Sequence, residues 1–180
     1  MPIHAMLDIE TLGVKTRAPV LSAGVEFFDP HLNLRFEKEL FLFDPEQQRG
    51  RHIQFSTMKW WMQQDRAAQA HWRDAEFPKV SFELERFVRF GETHGDVIWW
   101  AVGPHFDMTI METLLEDFGL RTPWKFWNVR DVRTVREWIN DSAVPANTNA
   151  HDPLADCDKQ IHQVVAFYEL MGQGAEMVVA

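Results

Sequence analysis

Residues 3–13 have the sequence IHAMLDIETLG, an apolar run that ends in two carboxylates and a glycine. The apolar part, Ile3–Ile9, is predicted to form a buried strand. Residues two apart in a strand point to the same face, so Asp8 and Glu10 should stand side by side at its end. The strand is predicted to be central, because the alternate apolar residues would fill its opposite face: Ile3, Ala5, Leu7 and Ile9.

The two neighbouring carboxylates indicate a candidate cation site. Asp8 and Glu10 would repel each other beside a core and lose hydration, and a divalent cation would relieve both effects. The alternative is a pair of exposed carboxylates at a strand end. The surrounding sequence has to decide between these two interpretations.

The rest of the chain is predicted to form a hairpin and then alternating helices and strands. Val20–Phe28 and Leu32–Phe43 flank a short turn, which indicates the hairpin. Predicted next are a loop at 44–50, helices at 56–69 and 80–90, a strand at 96–102, a helix at 104–119, a strand at 126–129, a helix at 131–139 and a helix starting at Asp152-Pro153. This order predicts an α/β fold whose mixed sheet has three antiparallel strands, then parallel strands, flanked by helices.

Length and charge limit the function. The 180 residues fit one domain, residues 1–180. The 18 basic and 27 acidic side chains give a net charge of −9, which argues against a broad phosphate-binding surface. An enzyme that grips a few nucleotides through bound cations remains compatible with this charge, and the 8 Trp and 14 Phe offer flat faces for base stacking as well as core area.

The sequence also predicts where the protein is found. Cys157 is the only cysteine, so an intrachain disulfide is excluded and a reducing, cytoplasmic location is expected. The first ten residues lack the basic and apolar regions of a signal peptide. No apolar stretch approaches the roughly 18 residues of a membrane span, so no membrane association is expected.

Three further polar residues lie near the predicted starts of two helices. Asp107 precedes Ile110 and Met111 by three and four residues, which places it on the buried face of its helix. There it could equally offset the helix dipole. Asp156 lies near the start of the last helix, and His151 lies five residues earlier in an acidic loop, where a histidine is otherwise a surface residue.

These segments together resemble the three exonuclease motifs of the DEDDh superfamily, which includes polymerase proofreading subunits, RNase T and oligoribonuclease. The motifs are DIET at 8–11, FD at 106–107 and HDPLAD at 151–156. Their separations of about 100 and about 50 residues match the family. A His separated by four residues from an Asp is the mark of the h subgroup, whose relatives carry Tyr instead.

Other segments are similar to one branch of this superfamily, the phage DexA-type exonucleases and the mycobacterial polyadenylate-specific RNase. They are DIETLG at 8–13, GVEFFDP at 24–30, WW at 60–61 with Gln64, and FWNVRDVRT at 126–134. The resemblance covers most of residues 3–170. The chain departs from it at Gly103-Pro104-His105, where many relatives have an Asn.

The resemblance implies an RNase H-like fold and a two-metal-ion 3′→5′ exonuclease. Such an enzyme hydrolyses single-stranded RNA or DNA with a free 3′ end and releases 5′-mononucleotides. By resemblance, Asp8 bridges two Mg²⁺ or Mn²⁺ ions, Glu10 and Asp156 complete the first site, and Asp107 acts on the second. His151 takes the proton from the attacking water. Several relatives are homodimers, so a homodimer is compatible with the resemblance.

Six further residues are candidate substrate contacts: Ile9, Thr11, Leu12, Trp60, Gln64 and Phe106. By resemblance, the backbone of Ile9 and Thr11 and the Leu12 side chain meet the terminal nucleotide. Trp60 and Gln64 would share a helix face and could contact a base, on which Phe106 could also stack. For these residues the alternative is packing within the fold.

Two alternative functions stay open. One is an exoribonuclease that is specific for adenylate tails or short oligonucleotides. The other is a non-catalytic nucleic-acid-binding module of the same fold, although such a module would have no need of His151. No residue in the sequence reads the 2′-hydroxyl unambiguously, so RNA and DNA are both compatible with it.

Overall fold

The computed structural model describes residues 2–139, 144–146, 149 and 151–178, with side chains excepted at 70–72 and 173–178. Its strands are β1 (His4–Thr11), β2 (Val20–Asp29), β3 (Leu34–Leu42), β4 (Ile98–Ala101) and β5 (Val129–Asp131). Its helices are α1 (Phe55–Trp61), α2 (Arg66–Arg73), α3 (Val80–Gly91), α4 (Pro104–Asp117), α5 (Val132–Arg136) and α6 (Pro153–Val178).

The five strands form one mixed sheet in the order β3-β2-β1-β4-β5. β1 pairs antiparallel with β2, which pairs antiparallel with β3, whereas β1–β4 and β4–β5 are parallel. β1 is therefore central, and the predicted α/β sheet of three antiparallel strands followed by parallel ones is confirmed. Asp8 lies opposite Gly24 and Glu10 opposite Ser22 in the β1–β2 register.

The side chains of β1 alternate between two buried layers. Ala5, Leu7 and Ile9 face a core that α3 and α4 cover. Met6 faces the other layer, where it packs with Cys157 of α6. Because the strand period is two, Asp8 and Glu10 share the α6 side with Met6. Within the described residues, none of the helices is both long and apolar enough to cross a bilayer.

Three predicted elements differ from those observed. The helix predicted at 56–69 is two helices, α1 and α2, because Asp65 caps the second by accepting a 2.9 Å hydrogen bond from the Ala68 N–H. The strand predicted at 126–129 is a 3₁₀ turn at Phe126–Asn128, followed by β5. The helix predicted at 131–139 is shorter, with Asp131 as its N-cap.

Candidate active site

Three elements bring the five predicted catalytic residues to one cavity. Their side chains come from the end of β1, the first turn of α4 and the start of α6 with its preceding loop. The cavity has a volume of about 310 Å³, and its lining includes all five: Asp8, Glu10, Asp107, His151 and Asp156. The residues that the sequence separates by up to 148 positions therefore form a single cluster.

Close backbone packing sets the position of α6. A Cβ atom on Gly24 would lie 2.7 Å from the backbone carbon of Pro153, so only glycine permits this approach. The Cys157 thiol donates a 3.4 Å hydrogen bond to the Gly24 carbonyl. Asp152 caps the helix as predicted, since its Oδ1 accepts from the N–H groups of Leu154 and Ala155. The start of α6 thus lies directly over the strand pair that carries Asp8.

Asp107 is buried beside the end of β1. Its Oδ1 accepts a 3.3 Å hydrogen bond from the Ile9 N–H, and only 4% of the residue is exposed. Burial raises the pKa of Asp107 to about 8, even though the hydrogen bond from Ile9 opposes this shift. A carboxylate that served only to offset the helix dipole would not need such burial next to three other acids.

Asp8 lies at the centre of the cluster. Burial raises its pKa well above the usual range, and the nearby carboxylates of Asp107, Glu10 and Asp156 raise it further. Burial also raises the pKa of Glu10, while its contact with His151 lowers it. Among the described residues, Asp8, Glu10 and Asp107 form no ion pair with a lysine or arginine. A cation bound from solution would therefore lower the mutual repulsion of these three carboxyl groups.

His151 lies at the edge of the cluster in an unusual backbone conformation. Its φ is 67°, a region that non-glycine residues occupy at a free-energy cost of about 1–3 kcal/mol and mostly at functional sites. Its N–H donates a 3.0 Å hydrogen bond to Asp156 Oδ2, and its Nδ1 lies 3.7 Å from Glu10 Oε1. The contact with Glu10 raises the pKa of His151.

Side chains of the cluster also lie close enough together to bind one cation. One ligand atom each of Glu10, His151 and Asp156 lies within 4.8 Å of the others. His151 is thus close enough to be a ligand as well as a base. The oxygen-rich donors around it are those that Mg²⁺ and Mn²⁺ prefer.

A second cavity of about 360 Å³ meets the first along Ile9, Glu10 and Phe106, which line both. Thr11 and Trp60 also line it, so four of the six predicted substrate contacts lie here: Ile9, Thr11, Trp60 and Phe106. Sequence reasoning missed three other lining residues: Val14, Ser56 and Thr57. Ser56 and Thr57 lie in the first turn of α1, whose N-cap is Gln54.

The other two predicted contacts lie outside this cavity. The Leu12 side chain is only 4% exposed and packs in a small core with Leu21 and Trp61. Gln64 lies in the turn after α1, where its amide donates to the Trp60 carbonyl, so the two residues do not share a helix face. The Trp61 side chain is structural, because it is buried and its Nε1 donates to the Thr11 carbonyl.

Three polar residues that line the first cavity carried no prediction: Arg136, Lys159 and Gln160. Gln160 follows Asp156 by one helical turn, so the helical period could have placed it on the same face. Lys159 follows Asp156 by three residues, so the helical period could have placed it on this face as well. No local pattern identified Arg136, which comes from α5.

The fold and the site together define a 3′→5′ exonuclease of the DEDDh class, with an RNase H-like sheet. The family model described as the 3′-5′ exoribonuclease Rv2179c-like domain matches residues 3–168. The chain belongs to this family. The resemblance stated from the sequence motifs is thereby confirmed.

Individual relatives agree with this assignment. The chain is 27% identical to the exodeoxyribonuclease of Enterobacteria phage T4, over 87% of this chain and 85% of that protein. E. coli exonuclease I in complex with a dT13 oligonucleotide matches with a TM-score of 0.70 at 14% identity, and its complex with dA16 matches with a TM-score of 0.67 at 13% identity. Both matches cover 96% of this chain and 43% of exonuclease I, so this chain spans less than half of that protein. At this identity the likeness shows the fold.

Proposed function

We propose that this chain uses two metal ions to remove nucleotides from the 3′ end of single-stranded RNA or DNA, releasing 5′-mononucleotides. The observation that carries the proposal is the convergence of four carboxylates from three elements on one cavity, with a histidine at its edge. The acids are Asp8, Glu10, Asp107 and Asp156. A non-catalytic binding module of the same fold would gain nothing from holding these acids together.

The electrostatics of the cluster support divalent cations. Buried carboxylates with raised pKa values repel each other, and a doubly charged ion reverses this repulsion. Asp8, Glu10 and Asp156 would hold one Mg²⁺ or Mn²⁺ ion, and Asp8 with Asp107 the other. When bound, such ions supply Lewis-acid stabilisation of the phosphate that is attacked.

His151 is the candidate proton acceptor for the attacking water. Its backbone is held by Asp156 and its Nδ1 faces Glu10, which leaves Nε2 to accept the proton. The carboxylate of Glu10 favours the protonated ring, which raises the pKa of His151 and stabilises the imidazolium that forms. His151 therefore acts here as a base that Glu10 orients.

The second cavity suits the 3′-terminal nucleoside. Trp60 is 38% exposed at its wall, and Phe106 lies between this cavity and the carboxylates. The turn beyond β1 closes one side, where the Thr11 hydroxyl donates a 2.6 Å hydrogen bond to the Gly13 carbonyl. A paired base would have to leave its duplex before entering such a cavity, so duplex ends should be poor substrates. The net charge of −9 further disfavours binding to long phosphate tracks.

The family description names an exoribonuclease, whereas the T4 relative is an exodeoxyribonuclease. The decisive experiment therefore digests matched 5′-labelled strands of RNA, DNA and oligo(A), each with Mg²⁺ and with Mn²⁺. We expect a ladder that shortens stepwise from the 3′ side, survival of a circular strand, and no cleavage by Asp107→Asn. Rapid cutting of the circle would indicate an endonuclease, and binding without cleavage would indicate a non-catalytic module.

A further inference from the structure

The catalytic cavity has a basic side as well as an acidic one. Arg136, at the end of α5, and Lys159, in the second turn of α6, line the same cavity as Asp8 and Asp107. Apart from His151, they are the only basic residues that line either of the two adjoining cavities in the described part of the chain. None of the described residues that line the second cavity, which contains Trp60, is basic.

Arg136 is held in place while part of its guanidinium stays available. Its Nη2 donates a 3.0 Å hydrogen bond to Oε1 of Gln163, which is fully buried. Its Nε is also buried and has no hydrogen-bond partner within the residues that the structure describes. A buried donor without an acceptor is unfavourable, so Arg136 gains from an acceptor beside it, and its half-buried side chain lines the cavity through which such a group can approach.

Lys159 is similarly available. Its side chain is partly buried, and it makes no hydrogen bond or ion pair with any described residue, although acidic residues outnumber basic ones in this chain. Lys159 follows Asp156 by three residues on α6, so it lies beside the carboxylate cluster. Two cations on one side of an acidic cavity suit an anionic ligand that spans both charges.

We propose that Arg136 and Lys159 form a subsite for the phosphodiester immediately upstream of the scissile phosphate. This inference rests on the proposed function, which places the terminal nucleoside near Trp60 and the scissile phosphate at the carboxylates. The strand must then continue from the carboxylates through the first cavity, which Arg136 and Lys159 line, whereas neither residue lines the cavity beside Trp60. A guanidinium binds phosphate oxygens through paired hydrogen bonds, and an ammonium adds a point charge.

The test compares two substrates with the full-length protein. One is a single-stranded trinucleotide, and the other is the p-nitrophenyl ester of thymidine 5′-monophosphate, which has a scissile phosphate but no upstream phosphodiester. For Arg136→Gln and for Lys159→Gln, the ratio of kcat/KM for the trinucleotide to that for the ester should fall about tenfold or more. Arg89→Gln, an exposed cation of α3, is the matched control and should leave this ratio unchanged.

Salt dependence gives a second measure that a merely structural role would not change. Each lost phosphate contact should make the slope of log(kcat/KM) against log[salt] shallower by about 0.7. Arg136→Lys should recover part of the trinucleotide preference. If Arg136→Gln unfolds, Lys159→Gln carries the test, since among the described residues that side chain has no hydrogen-bond or ion-pair partner to lose.

An unchanged substrate ratio and salt slope in both variants would overturn the subsite. Equal losses on both substrates would also overturn it, because they would assign the two cations to the reacting phosphate. If the wild-type protein hydrolysed neither substrate, the proposed function itself would fail, and this inference with it.

Discussion

The side-chain amide of Gln160 donates a 2.7 Å hydrogen bond to Oδ1 of Asp8, joining α6 to the central strand across 152 residues of chain. Gln160 is only 6% exposed, and it follows Asp156 by one helical turn. Its hydrogen bond lowers the pKa of Asp8, whereas burial and three neighbouring carboxylates raise it. Gln160 is therefore a positioning residue, which keeps Asp8 oriented and favours its ionised form.

Replacing Gln160 should weaken metal use through Asp8. Gln160→Leu keeps the approximate volume but removes the amide, so we expect about a 10- to 100-fold loss in metal affinity or activity, as for other partners of metal ligands. Activity should partly recover at high Mg²⁺ or Mn²⁺, which titration of the initial rate against metal concentration would reveal. Gln160→Leu with the metal dependence of the wild type would show that the hydrogen bond has no such role.

Asp8→Asn should abolish turnover and yet stabilise the metal-free protein. The substitution removes the free-energy cost of ionising a buried carboxyl group beside three acids, and an Asn oxygen can still accept from Gln160. A gain of about 1 kcal/mol, an ordinary single-residue effect, would raise Tm by roughly 2–4 °C for a chain of this size. Thermal unfolding in EDTA and in Mg²⁺ measures both effects, with the exposed Glu92→Gln as a control. Wild-type activity in Asp8→Asn would refute the site.

Replacing His151 should show whether this residue acts as a base or as a metal ligand. If it is the base, His151→Ala should lose about 10²- to 10⁴-fold in kcat while the metal dependence stays that of the wild type. The geometry also permits ligation, because His151 lies with Glu10 and Asp156 in one potential ligand group. Calorimetric titration with Mn²⁺ distinguishes the two, and a large loss of affinity in His151→Ala would reassign it as a ligand.

Gly24→Ala should displace the start of α6. The new Cβ would lie 2.7 Å from the Pro153 backbone, and overpacking of this kind is destabilising by about 1–3 kcal/mol. Activity should fall with stability, because the same turn carries Asp156. Gly172→Ala is the matched control: a Cβ there meets nothing within 4 Å, and a helix favours Ala over Gly. Denaturant unfolding measures the stability of both variants, and initial rates measure their activity. Equal stability and activity in Gly24→Ala and Gly172→Ala would contradict this account.

The buried His4 should make stability depend on pH. Burial lowers the pKa of His4 to about 4, and its ring accepts a 2.9 Å hydrogen bond from Trp100 Nε1. The unfolded chain binds the proton more readily than the folded one. The contribution of neutral His4 to the free energy of unfolding is therefore present above pH 6.5 and is lost as the pH falls from 6.5 towards 4.

The free energy of unfolding should fall by about 3 kcal/mol because of His4, since each pKa unit corresponds to about 1.36 kcal/mol. Urea unfolding of the wild type and of His4→Asn, which keeps an acceptor but no titrating ring, should show a smaller pH effect in the variant. An NMR titration that placed the pKa of His4 at 6 or above would contradict the prediction.

Local sequence patterns predicted most of the fold. The apolar run before Asp8 and the Asp152-Pro153 pair identified β1 and α6, because strand alternation and helix capping depend on residues that are close in sequence. The break between α1 and α2 was missed, since Asp65 was not considered as a cap. The 3₁₀ turn at Phe126–Asn128 was missed because its exposed aromatic residues imitate a buried strand.

The sequence by itself determined which candidate catalytic groups the chain carries and which of them share a strand or a helix. Only the tertiary structure decided how those elements meet: that Leu12 packs beneath the site, that Gln160 contacts Asp8, and that Arg136 lines the cavity. The reason is physical. Spacing along the chain sets the face on which a side chain lies, but burial, pKa and hydrogen-bond partners depend on surfaces that come from distant segments.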